Sequence, residues 1–272
     1  MTRTGFIDSQ GEQFYFEETG DGLPVLLLHA GIADSRMWEP QVRVLADSLH
    51  LICCDLRGFG QSPIPDGEFS YYEDIAGLFN ALDIQSAWLI GASFGGSVAV
   101  DFCLAYPKKV RGLILAAPLV SGYEPADQIK EFGEREEALL AAGDLAGATE
   151  LNLSMWVDGP YRSAEQVPAD VRSRVAEMQL HAFNLPVPAR AKVQSLDPPA
   201  RHRLDEIQAP TLIIVGELDV PEVVAFSADL AEEISAAKRI VVPGVAHIVS
   251  MEAPEVFNQL VLDFITQIAE NS

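Results

Sequence analysis

The chain has 272 residues, 40 of them Asp or Glu and 18 Lys or Arg, for a formal charge of −22. With 49% hydrophobic and 21% charged residues, it has the makeup of a folded globular protein rather than a disordered one, long enough for one large domain or a domain carrying an insertion. So acidic a balance argues against nucleic acid and against an anionic membrane surface as partners, because phosphate binding is carried by Lys and Arg.

In chain order, residues 5–8 and 12–18 read as two extended segments around Ser9-Gln10-Gly11, a hairpin. Short unbroken apolar runs follow at 25–28, 51–54, 87–90 and 113–117. Runs of four or five residues without alternation predict strands buried on both faces, as in a parallel sheet. Between them the periodicity predicts helices over 37–49, 71–82 and 94–105, the last stopped by Pro107. Strand alternating with helix predicts a three-layer α/β fold. After Pro118 the rhythm breaks. Residues 121–203 read as a helical insertion, clearest at 127–142 and 171–183 and punctuated by Gly159-Pro160, Pro186, Pro188 and Pro198-Pro199. Strands return at 211–215 and 239–242, and a last helix runs from 254 to about 269. The expected division is therefore a core of 1–120 and 204–272 with an insertion of 121–203.

Cys53, Cys54 and Cys103 offer neither a disulfide framework nor a metal spacing, and are expected to pack as small hydrophobes in a reducing compartment. The stretch from Met1 to Phe6 shows no secretory pattern, and no apolar run is long enough to span a bilayer. A cytoplasmic protein without metal or cofactor is expected, a monomer or a homodimer.

The most informative segment is Gly91-Ala92-Ser93-Phe94-Gly95, which follows a buried strand and opens a helix. A serine on such a turn is exposed at the positive end of the helix, and its neighbours two positions away must be small. Neither a phosphate loop nor a dinucleotide fingerprint fits, since Lys-Ser/Thr and Gly-x-Gly-x-x-Gly are both missing. Ser93 is thus the candidate nucleophile, and the Phe94 amide a candidate oxyanion donor. A serine needs a base, and the base an orienting acid. His247 follows the strand at 239–242 and Asp219 the strand at 211–215, both at the sheet edge where ligand groups gather. Glu217 is the weaker acid candidate, better suited to capping or solvent. His50 and His202 carry no signal.

Four motifs in this order resemble the α/β-hydrolase fold family: Leu26-Leu27-Leu28-His29-Ala30-Gly31 with Trp38, then Asp55-Leu56-Arg57-Gly58-Phe59-Gly60-Gln61-Ser62, the Ser93 turn, and His247 with the stretch to Pro254. The resemblance covers essentially the whole chain. It implies a mostly parallel sheet with helices on both faces, and Ser93 as nucleophile, Asp219 as acid and His247 as base. It also implies an oxyanion hole from the Gly31 and Phe94 amides. Ala30 departs from the family's usual glycine. His29 is expected to tie down its loop, and Asp55 and Arg57 to form a loop-ordering pair.

Serine rather than aspartate at position 93 argues against dehalogenase and epoxide-hydrolase chemistry and leaves acyl transfer to water. The insertion is expected to lie over the catalytic edge as a cap, with Trp156, Met155 and Phe183 as substrate-binding candidates and Leu153 and Leu180 beside them. Arg162, Arg172, Arg174 and Arg190 are scattered over it. The leading expectation is a carboxylesterase acting on small to medium acyl esters. A C–C bond hydrolase or enol-lactonase of the same fold is the alternative, favoured by an arginine aimed into the pocket. A non-catalytic receptor for a small ligand is a third.

Overall fold

Gln10 and Gly11 both take positive φ, 52° and 83°, and this tight turn folds β1 (Arg3–Ser9) antiparallel onto β2 (Glu12–Thr19). The computed structural model describes residues 2–270. Met1, at the start of the expected leaderless stretch, and the last two residues of the expected core lie outside the described residues. The apolar runs form β3 (Leu23–Leu28), β4 (Leu49–Cys54), β6 (Ala87–Ala92), β7 (Val110–Ala116), β9 (Thr211–Gly216) and β10 (Ala237–Val242). A two-residue strand β5 (Glu68–Phe69) pairs outside this sheet with β8 (Lys192–Val193).

The sheet order is β1-β2-β4-β3-β6-β7-β9-β10, parallel from β4 onward. β6 and β9 are buried at every position, which is why their sequences do not alternate, whereas the edge strand β10 is half-exposed. Successive residues of a strand feed opposite layers. Leu27, Ile90 and Ile214 pack with Phe257 and Phe264 on one face, Leu26, Leu89 and Ile213 with Phe79, Phe102 and Phe226 on the other. The first layer is built by α1 (Glu39–Leu45) and α9 (Pro254–Glu270), the second by α2 (Tyr71–Ala81), α3 (Phe94–Ala105) and α7 (Pro221–Glu233). This is the α/β-hydrolase fold.

The helix expected over 37–49 is shorter. A 3-10 turn, Ser35–Trp38, is capped by Asp34, Pro40 opens α1, and by Leu49 the chain has entered β4. Between β7 and β9 lie α4 (Asp127–Ala141), α5 (Leu145–Asn152), a π-helical turn (Leu153–Asp158) and α6 (Ala169–Phe183). A four-residue helix, α8 (Val249–Glu252), follows β10. Cys53, Cys54 and Cys103 are buried and unpaired, and burial pushes the Cys103 thiol up to about 12. Among the described residues no helix is long and apolar enough to cross a membrane.

Candidate active site

β3 lies between β4 and β6, so the strand order reverses there and the loops after β3 and β6 diverge to leave a crevice at the sheet's carboxyl edge. Ser93 sits on that edge, between β6 and α3, with φ 49° and ψ −113°. A non-glycine residue held there stores about 1–3 kcal/mol of strain. The strain persists because the surroundings fix it: Ser93 N–H donates to the Ala116 carbonyl at 2.8 Å, and Gly96 N–H donates to the Ser93 carbonyl at 2.9 Å. The flanking glycines have no alternative. A Cβ at Gly91 would stand 2.4 Å from the Gly95 carbonyl oxygen, and one at Gly95 would stand 2.2 Å from that of Leu28. The strand–turn–helix thus packs backbone on backbone, and the serine hydroxyl is forced outward.

His247 Nε2 lies 2.8 Å from Ser93 Oγ, and its Nδ1 lies 2.9 Å from Asp219 Oδ2. An ionised Asp219 can only accept, so Nδ1 carries the ring proton and Nε2 accepts from the serine hydroxyl. Asp219 is 1% exposed, and its Oδ1 also accepts the Val220 amide at 2.7 Å, at the start of α7, where the helix dipole favours a negative charge. The acid and histidine loops are bonded to each other, Glu217 N–H to the Val242 carbonyl and Leu218 N–H to that of Val245, both at 2.9 Å. The Glu217 side chain accepts the Gly244 amide at 3.0 Å, a capping role. Arg162 and Glu252 form a 2.6 Å ion pair behind His247, and Glu252 also accepts the Ala246 amide at 3.0 Å.

Gly31 abuts the nucleophile turn: a Cβ there would lie 3.3 Å from Phe94 Cβ. Among the described residues neither the Gly31 nor the Phe94 amide donates to a protein acceptor. The loop carrying Gly31 is held by His29, whose Nε2 accepts from Leu56 N–H and whose Nδ1 donates to the Ala30 carbonyl, each at 2.8 Å. Burial lowers the pKa of His29, so it stays neutral and structural. Ala30 is accommodated: its side chain is buried and its amide points to Met37 Sδ at 3.3 Å.

Asp55 and Arg57 do not pair with each other, which corrects the sequence expectation. Asp55 accepts the amides of Ser35 and Gln61, at 2.8 Å each. Arg57, wholly buried, forms a two-pronged ion pair with Asp74 at 3.0 and 2.9 Å and donates to the carbonyls of Ser9, Glu12, Gln13 and Pro63.

A cavity of about 330 Å³ opens over Ser93 and His247. Trp156 and Phe183 line it, and the Trp156 ring sits 4.7 Å from the His247 ring. Met155 does not reach it; it faces a separate depression and packs against the cluster of Ala117, Val215, Val220 and Val223. Leu153 is core, and Leu180 is 40% exposed on the outer face of α6. The four arginines are paired elsewhere, Arg162 with Glu252, Arg172 with Asp158 and Glu150, Arg174 with Glu39 and Arg190 with Asp66. Sequence reasoning missed Phe59, Glu136, Asn152 and Gln179 as lining residues, which join Ile32, Gly58 and Ala182 in the rest of the wall. Gln179 alone carried a signal: it is a polar residue one turn beyond Val175 on the apolar face of α6. Among the described residues no group of three or more His, Cys, Asp or Glu is placed to hold a metal ion.

The comparisons agree with this architecture. The carboxylesterase YbfK of Bacillus subtilis is 26% identical over 90% of this chain and 81% of its own length. A thermophilic esterase from Thermogutta terrifontis superposes with a TM-score of 0.80 at 27% identity, over 98% of this chain and 99% of that one. The enol-lactonase from Burkholderia xenovorans LB400 shares the fold, with a TM-score of 0.77 at 22% identity, over 96% of this chain and all of that one. The profile of the alpha/beta hydrolase fold matches residues 24–254, and the chain belongs to that family.

Proposed function

We propose that the chain is a serine hydrolase that cleaves carboxylic esters of small to medium acyl groups through an acyl-enzyme on Ser93. The observation that carries this reading is the unbroken hydrogen-bond relay from Ser93 Oγ through His247 to Asp219, at 2.8 and 2.9 Å, beside two unpartnered amides. His247 Nε2 takes the hydroxyl proton as Oγ attacks the ester carbonyl, and the oxyanion is held by the Phe94 and Gly31 N–H groups. Each such donor is worth about 3 kcal/mol of barrier. The tetrahedral species collapses, and the departing alcohol takes the proton from His247. Water then gives a proton to His247, attacks the acyl carbon and frees Ser93 as the acid leaves. Asp219 holds Nδ1–H and stabilises the imidazolium of both steps.

In this reading residues 121–203 form a cap over a core of 1–120 and 204–272, and Trp156 and Phe183 are its apolar contacts with substrate. Among the described residues the cavity lining has no Lys or Arg, and its one acidic side chain is Glu136. That disfavours the carboxylate-bearing substrates of C–C bond hydrolases and enol-lactonases. A complete relay likewise favours an enzyme over a receptor. The test is hydrolysis of 4-nitrophenyl esters from acetate to dodecanoate by wild type and Ser93→Ala. The expected result is turnover with an optimum at short to medium chains, lost by a factor of about 10⁴ or more in the variant. Equal rates in the two proteins, or no turnover on any ester, would overturn the assignment.

A further inference from the structure

Part of the cavity wall is polar, and no step of the hydrolytic chemistry uses it. Asn152, at the end of α5, is 3% exposed and uses both amide hydrogens within the protein, on Glu136 Oε1 at 2.5 Å and on the Ala148 carbonyl at 3.0 Å. Its Oδ1 has no donor among the described residues. Gln179 is also 3% exposed, lines the same cavity, and has its Oε1 buried with no hydrogen-bond partner. Leaving a buried amide oxygen without a donor costs about 1–3 kcal/mol. Glu136 makes no ion pair among the described residues, and its second oxygen accepts nothing. Two acceptors, the Asn152 Oδ1 and an oxygen of the anionic Glu136, therefore belong to the same hollow as Ser93, with the Gln179 oxygen shut in behind the wall and, among the described residues, no Lys or Arg in the lining.

We propose that this wall is a subsite for an ammonium group on the substrate, with Glu136 as counter-charge and Asn152 as a further acceptor. An ammonium brings N–H donors and a positive charge, which matches two open acceptors, one of them anionic. A hydroxyl would satisfy one acceptor and leave the charge of Glu136 unmatched, and a carboxylate would be repelled. The subsite deepens the hydrolase reading and rests on it only for the scissile carbonyl being at Ser93.

The first measurement is calorimetric titration of Ser93→Ala protein with hexylammonium, 1-hexanol and hexanoate, which involves no turnover. Hexylammonium is expected to bind about tenfold more tightly than hexanol, and hexanoate more weakly than either. In the Ser93→Ala/Glu136→Gln protein that advantage should vanish, whereas Glu137→Gln, the same charge change at an exposed neighbour, should keep it. Equal affinities for the three ligands, or a preference that survives Glu136→Gln, would overturn the subsite. The second measurement compares kcat/KM for 4-nitrophenyl 6-aminohexanoate and 4-nitrophenyl hexanoate in wild type. Failure to hydrolyse either ester counts against the esterase reading alone, and the calorimetry still decides the subsite.

Discussion

The two walls of the cavity are held in different ways. The sheet-edge wall, with Ser93, Gly31, Asp219 and His247, is fixed by backbone: the Ser93–Ala116 and Leu218–Val245 hydrogen bonds and glycines that admit no Cβ. The helical wall, with Trp156, Gln179 and Phe183, is held mainly by side chains, buried apolar ones such as Leu153, Val157, Val175 and Met178 and ion pairs on its rim, Arg36–Glu177 and Arg174–Glu39 among them. Exposed pairs of that kind are worth about 0–1 kcal/mol each. Reaction geometry thus sits on the wall that cannot shift, and substrate selection on the wall whose contacts can be exchanged singly. A fold arranged like this can change its substrate without disturbing its relay.

The strongest way to break this comparison is through the relay. In Asp219→Asn the amide no longer fixes the proton on His247 Nδ1, so kcat should fall by about 10⁴, or about 5.5 kcal/mol, with the thermal midpoint little changed. A loss below tenfold would remove Asp219 from the relay. Next comes the buried pair beneath the sheet-edge loops. Arg57→Met strands the Asp74 carboxylate and four carbonyls, and should cost about 3–5 kcal/mol of stability in urea unfolding. Arg174→Met, which cuts an exposed pair of the helical wall, should cost less than about 1 kcal/mol. Similar costs for the two would show that the walls are not fastened differently.

Much of the sheet-edge wall was legible because its chemistry is local in sequence. A buried strand, two glycines flanking a serine and a helix are contiguous from Ala87 to Ala105, and Asp219 and His247 each follow a strand. The helical wall was legible only in part. Met155 and Trp156 are adjacent and both apolar, yet only Trp156 faces His247. They lie in the π-helical turn Leu153–Asp158, where the ordinary helical period no longer says which residues share a face. Glu136 sits in the acidic run from Glu131 to Glu137 and reads as one more solvated charge, until Asn152 is seen to hold it from another helix. Arg57 finds Asp74 rather than Asp55, a choice that spacing does not encode because the loop after β4 and α2 meet only in the folded state.

Arg162 joins the two walls, and its effect should be smaller than those above. It donates to the Val157 and Asp158 carbonyls of the π-helical turn and pairs with Glu252, which holds the amide just before His247. Arg162→Met should lower kcat about tenfold with less change in KM, because the histidine loop loses its register. The pH–rate profile should shift with it, and Arg162→Lys should restore part of the rate by keeping the charge beside Glu252. A change in KM alone would mean that Arg162 shapes the helical wall and does not position His247.

The smallest expected effect concerns the two ends of the helical segment between β7 and β9, near Ser121 and Ala200. Asp101, on α3, accepts the Ser121 hydroxyl at 2.6 Å, while Ser121 takes the Ala200 amide on Oγ at 3.0 Å and the Arg201 amide on its carbonyl at 2.9 Å. Both ends of the helical segment therefore meet at Ser121, which is anchored to one carboxyl group. Burial pushes Asp101 up to about 6, against the lowering by the Ser121 hydrogen bond and by Arg203. A carboxyl raised on folding binds more protons in the folded state between its ordinary value near 3.8 and about 6. Its contribution to stability therefore falls as pH rises through that window, and the cost is complete above it. Asp101→Asn keeps the acceptor for Ser121 and removes the titration, so it should match wild type near pH 4 and gain about 1 kcal/mol near pH 8, discounted for partial exposure. Urea unfolding at the two pH values reads the difference directly. A gain of equal size at both would trace to packing at the crossing, and the two walls would then be joined there without any dependence on protonation.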